Sequence, residues 1–349
     1  MSELRNSSNF LSESRLLEIL PRIGNVRIGI IGDGALDVYW EADMTKSELS
    51  RETPHFPLPV VRERFSGGGG ANVAANLSAL NPASVTVITM IGKDWRGDLF
   101  IKTLKDNKVN TDYIVISEER ITPAYCKPIR RGISGIEYED PRIDFQNYSA
   151  LTPAEEEEII SNLEKMCREV DIIAVADQLL FGTITENVRE KLQEISKKGI
   201  PVVVDSRDRV GLFSGVIVKP NETEACRVIA PMINPMNINE EIICKAAREI
   251  HTRNNHPAII TLGPRGALWI ENGIITNIPT VPEEPPIDIC GAGDTFISAL
   301  VCALAAGASG TEAISIANLA SGVTVKKIGI TGTATRKEII DKYKHRFGK

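Results

Sequence analysis

Histidine and cysteine, the residue types that most often hold transition metals, are scarce in this chain of 349 residues, which has four of the first and six of the second. No CxxC pair occurs, no HExxH occurs, and no histidine stands near another ligand type at metal spacing. A zinc site of the usual spacing and a histidine-based metal centre are therefore excluded, and the cysteines read as reduced, mostly buried thiols. Positive charge is also in deficit: the net charge is −6 and the pI about 5.5. No global field attracts nucleic acid or an anionic membrane, so an anionic ligand has to be held by local groups. Long apolar runs are missing too. The longest, Phe296 to Ala306, is well short of the ~20 residues that span a bilayer. The first two dozen residues carry mixed charge without an apolar centre, unlike a signal peptide, and cytoplasm is the expected location. Residues 1–25 form an accessory segment in which Ser12 to Leu20 is expected to be helical. No repeat, low-complexity tract or linker divides the remainder.

What is present is an alternation of short apolar runs with helical periodicity. Strands are expected at Val26–Gly32, Val85–Ile91, Asp171–Ala176, Pro201–Asp205, Val216–Val218 and Ala258–Leu262. Helices are expected between and after them, from Ala71–Leu80 through Ala292–Ala306 and Thr311–Lys326 to Arg336–Phe347, several behind a plausible cap such as Thr152-Pro153 or Asn221. Such alternation predicts an α/β fold with a mostly parallel sheet covered by helices on both faces. Two stretches, about 36–65 and 122–145, break it with short β-type runs mixed with Gly and Pro. They are expected to form one small projecting sheet, a lid or a dimer surface.

The chemistry concentrates in Asp288-Ile-Cys-Gly-Ala-Gly-Asp294, which opens an apolar helix. Backbone N–H groups of Gly291, Ala292 and Gly293 at a helix N-terminus suit a transferring phosphate, and Asp294 beside them suits a general base. The alternative is a turn with Asp294 as a helix cap. Ser66-Gly-Gly-Gly-Gly-Ala-Asn72 offers bare backbone at Gly68 and Gly69, and a side-chain amide at Asn72, for sugar hydroxyls; a flexible loop is the alternative. Asp37, just past the first strand, suits adjacent hydroxyls, while Asp33 could cap the turn. Asn221 and Glu224 suit the water shell of Mg²⁺, or a cap with an acidic first turn. For a substrate already carrying phosphate, Lys127, Arg130, Arg131 and Arg142 are the candidate distal cations, Arg142 first, with solvated surface charge as the alternative.

The Asp288–Asp294 segment resembles the D-x-x-G-A-G-D signature of the PfkB carbohydrate kinases, and Gly67–Asn72 resembles that family's Gly-Gly turn leading to Asn. Asn221-Glu-Thr-Glu224 is similar to its N-x-x-E motif, and Thr261-Leu-Gly263-Pro-Arg-Gly266 to its T-L-G-x-x-G nucleotide turn. The resemblance implies a ribokinase-like three-layer fold over residues 26–349. It implies ATP with Mg²⁺ as cofactors, Asp37 on sugar hydroxyls, Asn318 beside the adenine, and a K⁺ site at Asp288. Within the class, Leu36–Trp40, Pro57–Val61, Arg142–Phe145, Leu300–Ala306 and Gly329-Ile-Thr are similar to segments of D-glycero-D-manno-heptose 7-phosphate kinases, the kinase part of ADP-heptose synthase. That likeness implies transfer to the anomeric hydroxyl of heptose 7-phosphate, giving the 1,7-bisphosphate. The lid and the extra glycine depart from the usual heptose-kinase pattern. Because the chain ends soon after the kinase region, a monofunctional kinase is expected. A kinase for a neutral sugar such as ribose or fructose, and a noncatalytic sugar or nucleotide sensor, are the rival readings. An NAD-linked dehydrogenase is disfavoured, since Gly32-Asp-Gly34 does not extend to a dinucleotide fingerprint.

Overall fold

A computed structural model of the chain describes residues 11–348 and the backbone of Leu4–Asn6. The accessory segment lies partly outside the described residues; its described part contains the expected helix, α1 (Glu13–Arg22), capped by Ser12. The main sheet has the spatial order β1 (Leu4–Asn6), β16 (Ile274–Ile278), β15 (Ala267–Glu271), β14 (Ala258–Thr261), β13 (Ile217–Val218), β12 (Val202–Ser206), β11 (Ile172–Asp177), β2 (Arg27–Gly32) and β5 (Ser84–Ile88). β15 runs antiparallel to both neighbours and the other pairings are parallel.

The central strands are continuously apolar because both faces are covered. Side chains alternate between two cores. Ile28, Ile30, Ala174 and Val203 pack towards α1, α2 (Gly70–Ala79), α3 (Trp95–Asp106), α8 (Ala292–Ala305), α9 (Gly310–Thr324) and α10 (Arg336–Phe347). Ile31, Ile173, Val175 and Val204 pack towards α4 (Pro153–Met166), α5 (Glu186–Lys197), α6 (Glu222–Ile229) and α7 (Glu240–Asn254). Each such side chain contributes roughly 1.5–3 kcal/mol on burial. α8 is buried without a break from Thr295 to Ala303 between the sheet, α2 and α9. Its N-terminus is thereby fixed at the carboxyl ends of the parallel strands, where open α/β sheets bind ligands.

The run expected as one strand over 85–91 is two. After Ile88 the chain leaves β2, and the Thr89 carbonyl takes the Val115 N–H (3.0 Å), so that β6 (Met90–Gly92) pairs with β7 (Val115–Ser117). Sequence reading also passed over β15 and β16. They form a hairpin across Asn272 (φ 50°) and Gly273 (φ 74°), both in the left-handed region that a two-residue turn demands. The two irregular stretches build one sheet: β3 (Gly34–Asp43) lies antiparallel to β4 (Val60–Gly69) and parallel to β8 (Ala124–Arg131), which also carries β9 (Glu137–Glu139) and β10 (Ile143–Phe145). Leu36, Val38, Ala124 and Cys126 supply its small core. Among the described residues no helix is long and apolar enough to cross a membrane.

Candidate active site

A cleft of about 650 Å³ opens along the carboxyl ends of β11 to β14 and the N-terminus of α8. Asn221, Glu224, Thr261, Gly263, Gly266, Gly291, Ala292, Gly293, Asp294 and Asn318 all line it, so residues spread over a hundred positions of sequence meet in one cavity. Asp37, Gly68, Gly69 and Asn72 adjoin it on the side of the projecting sheet. Gly69 (φ 55°) enters α2 where a Cβ would stand 2.6 Å from the Asp33 carbonyl, so only glycine fits. Asp33 is committed elsewhere: its carboxylate accepts the N–H groups of Gln178, Leu179 and Thr183, which makes it the cap of the loop after β11.

Asp294 sits in the first turn of α8, partly buried and facing the cleft. Asn72 Nδ2 donates to its Oδ2 at 2.5 Å, and Asn72 Oδ1 in turn accepts from Asn76 Nδ2 at 3.2 Å. Asn76 also accepts from Thr295 Oγ1 (2.8 Å), which ties α2 to α8 by a chain of amides and hydroxyls. One Nδ2–H and one Oδ1 lone pair are thus engaged within the protein, so Asn72 orients Asp294 and keeps a second donor and a second acceptor position for a ligand. Burial pushes the Asp294 carboxyl up to about 6; the Asn72 hydrogen bond opposes the rise, Asp205 adds to it and Lys219 counters it.

The turn before the helix differs from expectation in one donor. Ala292 gives its N–H to the Ile289 carbonyl (3.2 Å), whereas the N–H groups of Gly293 and Asp294 have no partner among the described residues. The Gly291 N–H likewise has no partner among the described residues, so the orphan donors at this turn are those of residues 291, 293 and 294. Gly291 has φ 75°, and a Cβ there would lie 2.8 Å from Thr331 Cγ2 and 2.9 Å from Asn72 Nδ2. Two buried hydroxyls bordering this region, Ser66 Oγ and Thr331 Oγ1, lack a partner among the described residues.

Sequence reading missed Lys219 and Asp205. Lys219 is buried and lies 3.1 Å from Asp205. Burial alone would lower its ammonium, but Asp205 and Glu224, with Asp294 behind them, outweigh that and raise it. The readable signal was a Lys-Pro pair between strand and Asn221. Asn221 and Glu224 form a reciprocal capping box, so the bland reading of that motif is correct as geometry. Burial nevertheless raises Glu224, and Asp205 raises it further. Asp205, Glu224 and Asp294 thus converge around one buried cation, leaving surplus negative charge in the cleft. Among the described residues no trio of acidic, histidine or cysteine side chains could hold a metal alone. Magnesium keeps several waters and takes one or two carboxylates, so this donor set fits it. Asp288 stands apart from that set. Its oxygens accept the N–H groups of Cys290 and Gly329 (both 3.0 Å), tying the anion turn to the loop after α9.

On the far side of the cleft Thr261 bridges Asn221, and Asn318 is buried with its Nδ2 towards the Ile278 carbonyl (3.4 Å). Arg346 from α10 closes this end, paired with Glu283, which also takes Lys342 (2.6 Å). Nothing local in sequence marks Arg346. On the projecting sheet Asp37 is buried and pairs with Lys127 at 3.2 Å. Burial raises its carboxyl, against the pull of Lys127 and Arg142. The four candidate distal cations all have acidic partners: Lys127 has Asp37, Arg130 has Asp140 (2.6 Å), Arg131 has Glu137, and Arg142 has Asp144 (2.6 Å).

Three comparisons with known proteins bear on this geometry. Residues 58–336 match the family described as pfkB family carbohydrate kinase. The bifunctional protein HldE of Citrifermentans bemidjiense is 32% identical over 329 residues, covering 93% of this chain and 64% of that protein. The chain thus spans just under two thirds of that relative. Among solved structures, phosphofructokinase-2 of Escherichia coli with substrates and products superposes with a TM-score of 0.69 at 22% identity, covering 92% of this chain and 99% of the other. The same enzyme has been solved in complex with potassium (TM-score 0.67, 23%). The ribokinase of Arabidopsis thaliana with ribose and ATP gives 0.66 at 21%, covering 92% and 99%. The fold is accordingly the ribokinase-like α/β arrangement. With four fifths of its length inside the family match, the chain belongs to the pfkB family of carbohydrate kinases.

Proposed function

We propose that this chain transfers the terminal phosphoryl group of ATP to a hydroxyl of a sugar or sugar phosphate, with heptose 7-phosphate, converted to the 1,7-bisphosphate, as the acceptor its sequence likeness favours. The observation that carries the reading is the Asp294 carboxylate, held by Asn72 and facing the cleft beside the orphan N–H groups of Gly291, Gly293 and Asp294. The acceptor enters on the side of Asp37 and Gly68, where a carboxylate and bare backbone suit sugar hydroxyls. Asp294 accepts the proton of the attacking hydroxyl, while the N–H groups of Gly293 and Asp294 receive the charge of the transferring phosphate. Lys219, between three carboxylates, supplies the fixed positive charge of the cleft. Magnesium bound near Asn221 and Glu224 would neutralise phosphate charge. Thr261, Gly263, Gly266 and Asn318 line the part of the cleft that would take the nucleotide.

A panel of sugars and sugar phosphates assayed for ADP formation, with NMR identification of the product, tests this. ATP turnover independent of every acceptor would reject it. We also propose that the projecting sheet pairs two subunits, because β4 is an open edge with Val60, Val61 and Phe65 exposed. Sedimentation before and after Val61→Asp checks that; an unchanged monomer in both overturns it.

A further inference from the structure

Among the described residues, every cation that lines the cleft except Arg207 has an acidic ion-pair partner. Lys219 has Asp205 and Arg346 has Glu283, and beside the cleft Asp208 takes Arg227 while Arg209 takes Asp177. Arg207, between Ser206 and Asp208 in the loop after β12, lines the cleft and is exposed, and its guanidinium has no hydrogen-bond or ion-pair partner among the described residues. A free guanidinium at a cavity mouth whose other cations are already paired has unused capacity for an anion. Its position indicates which anion. Arg207 is near enough to Tyr125 for its charge to ease the phenol's burial-driven rise, and Arg142 does the same from the other sheet. Arg142 stacks on the Tyr125 ring at 4.4 Å. Tyr125 in β8 is in register with Asp37 in β3, which puts Arg142 on the acceptor side, while Arg207 lies between Tyr125 there and Glu224 in the cleft.

Resting on the kinase reading, we propose that Arg207 and Arg142, one from the main sheet and one from the projecting sheet, clamp the phosphate that the acceptor already carries, with Tyr125 between them. The assignment makes Arg207 a specificity-determining residue, and it explains why Arg130 and Arg131, committed within the projecting sheet, are not needed. Because the two guanidiniums come from separate sheets, a distal phosphate bridging them draws the projecting sheet onto the cleft. Arg142 shares its charge with Asp144, so Arg207 is the stronger anchor of the two.

The test compares Arg207→Ala and Arg207→Lys with wild type on heptose 7-phosphate or fructose 6-phosphate and on the matching unphosphorylated sugars. Loss of one charge-assisted hydrogen bond should raise KM for the phosphorylated acceptor about 10- to 100-fold. KM for ATP should stay within about twofold, kcat/KM for the unphosphorylated sugar should not move, and lysine should restore part of the loss. Inorganic phosphate should compete with the phosphorylated acceptor in wild type and not in Arg207→Ala. An equal rise in KM for ATP assigns Arg207 to the nucleotide and overturns the clamp. Wild type that uses neutral sugars with no preference for phosphorylated ones overturns the clamp and leaves the kinase reading standing. Wild type that phosphorylates no sugar at all overturns both.

Discussion

Replacing Asp294 by Asn keeps the shape of the side chain and the acceptor for Asn72 Nδ2, so the chain of amides joining α2 to α8 stays connected. What disappears is the proton acceptor and one negative charge beside Asp205. General-base catalysis by a positioned side chain is worth about 10²–10⁴-fold. Turnover should fall by that factor while KM for ATP stays level or drops, since the cleft becomes less anionic. The same carboxylate sets the pH dependence. With a pKa of about 6, it is increasingly protonated below that pH, so kcat/KM of wild type should fall about tenfold for each unit further down. Residual activity of Asp294→Asn should be flat over that range. Asn72→Ala removes the hydrogen bond that holds the pKa down, so its acid limb should shift to higher pH. Stability moves in the opposite sense to activity. The folded pKa lies above the ordinary carboxylate value, so the folded state binds the extra proton and stability declines as pH rises from about 4 to about 6. At neutral pH the ionised group costs at most about 3 kcal/mol. Asp294→Asn should therefore melt higher than wild type at pH 7, and the advantage should vanish below pH 4. Turnover by Asp294→Asn within tenfold of wild type, or an acid limb that persists in it, would refute the assignment.

Gly291→Ala should lower kcat at least tenfold with little change in KM. Its Cβ meets the Asn72 amide and Thr331 at a positive φ, and thermal unfolding should report a loss of about 1–3 kcal/mol. Lys219→Met leaves Asp205 buried without its partner, which typically costs about 3–5 kcal/mol. Adding Asp205→Asn should recover much of that stability without recovering activity, and chemical denaturation of both variants measures the difference. Potassium activation through Asp288 is expected, and equal rates in potassium and in a bulky organic cation would reject it. Asp288→Ala should free the turn at Cys290 from Gly329 and lose any dependence on the monovalent cation.

The elements that sequence made legible are those whose pattern is dictated by nearest neighbours. α8 is apolar all round because it is enclosed, and its glycines stand where the chain turns into it. α6 opens on a capping box whose partners are three residues apart. Such features survive translation into spacing. The β15–β16 hairpin carries a local mark as well, since Asn272-Gly273 lies between two apolar runs, but it departs from the strand–helix alternation of the rest of the sheet. The split of β5 from β6 had no local mark. It arises because Thr89 finds β7, some twenty-five residues away.

The site shows the same division, and it shows why charges were the least readable part. Except for Asn318 inside α9, the motif residues reach the cleft together because they lie just past the end of a parallel strand or at the start of a helix, and topology gathers such ends on one edge. An arginine carries no such address. Arg130, Arg131 and Arg142 look alike in sequence to Arg207, and what separates them is whether an acid sits opposite in space. Asp140, Glu137 and Asp144 are near them in the chain because the strands of the projecting sheet double back on each other. Arg207 lies in a loop between a strand and a turn, flanked by Asp208, which faces away to Arg227. A cation without a partner is thus a property of the folded surface alone, and a reading that ranks arginines by nearby sequence will favour those already neutralised.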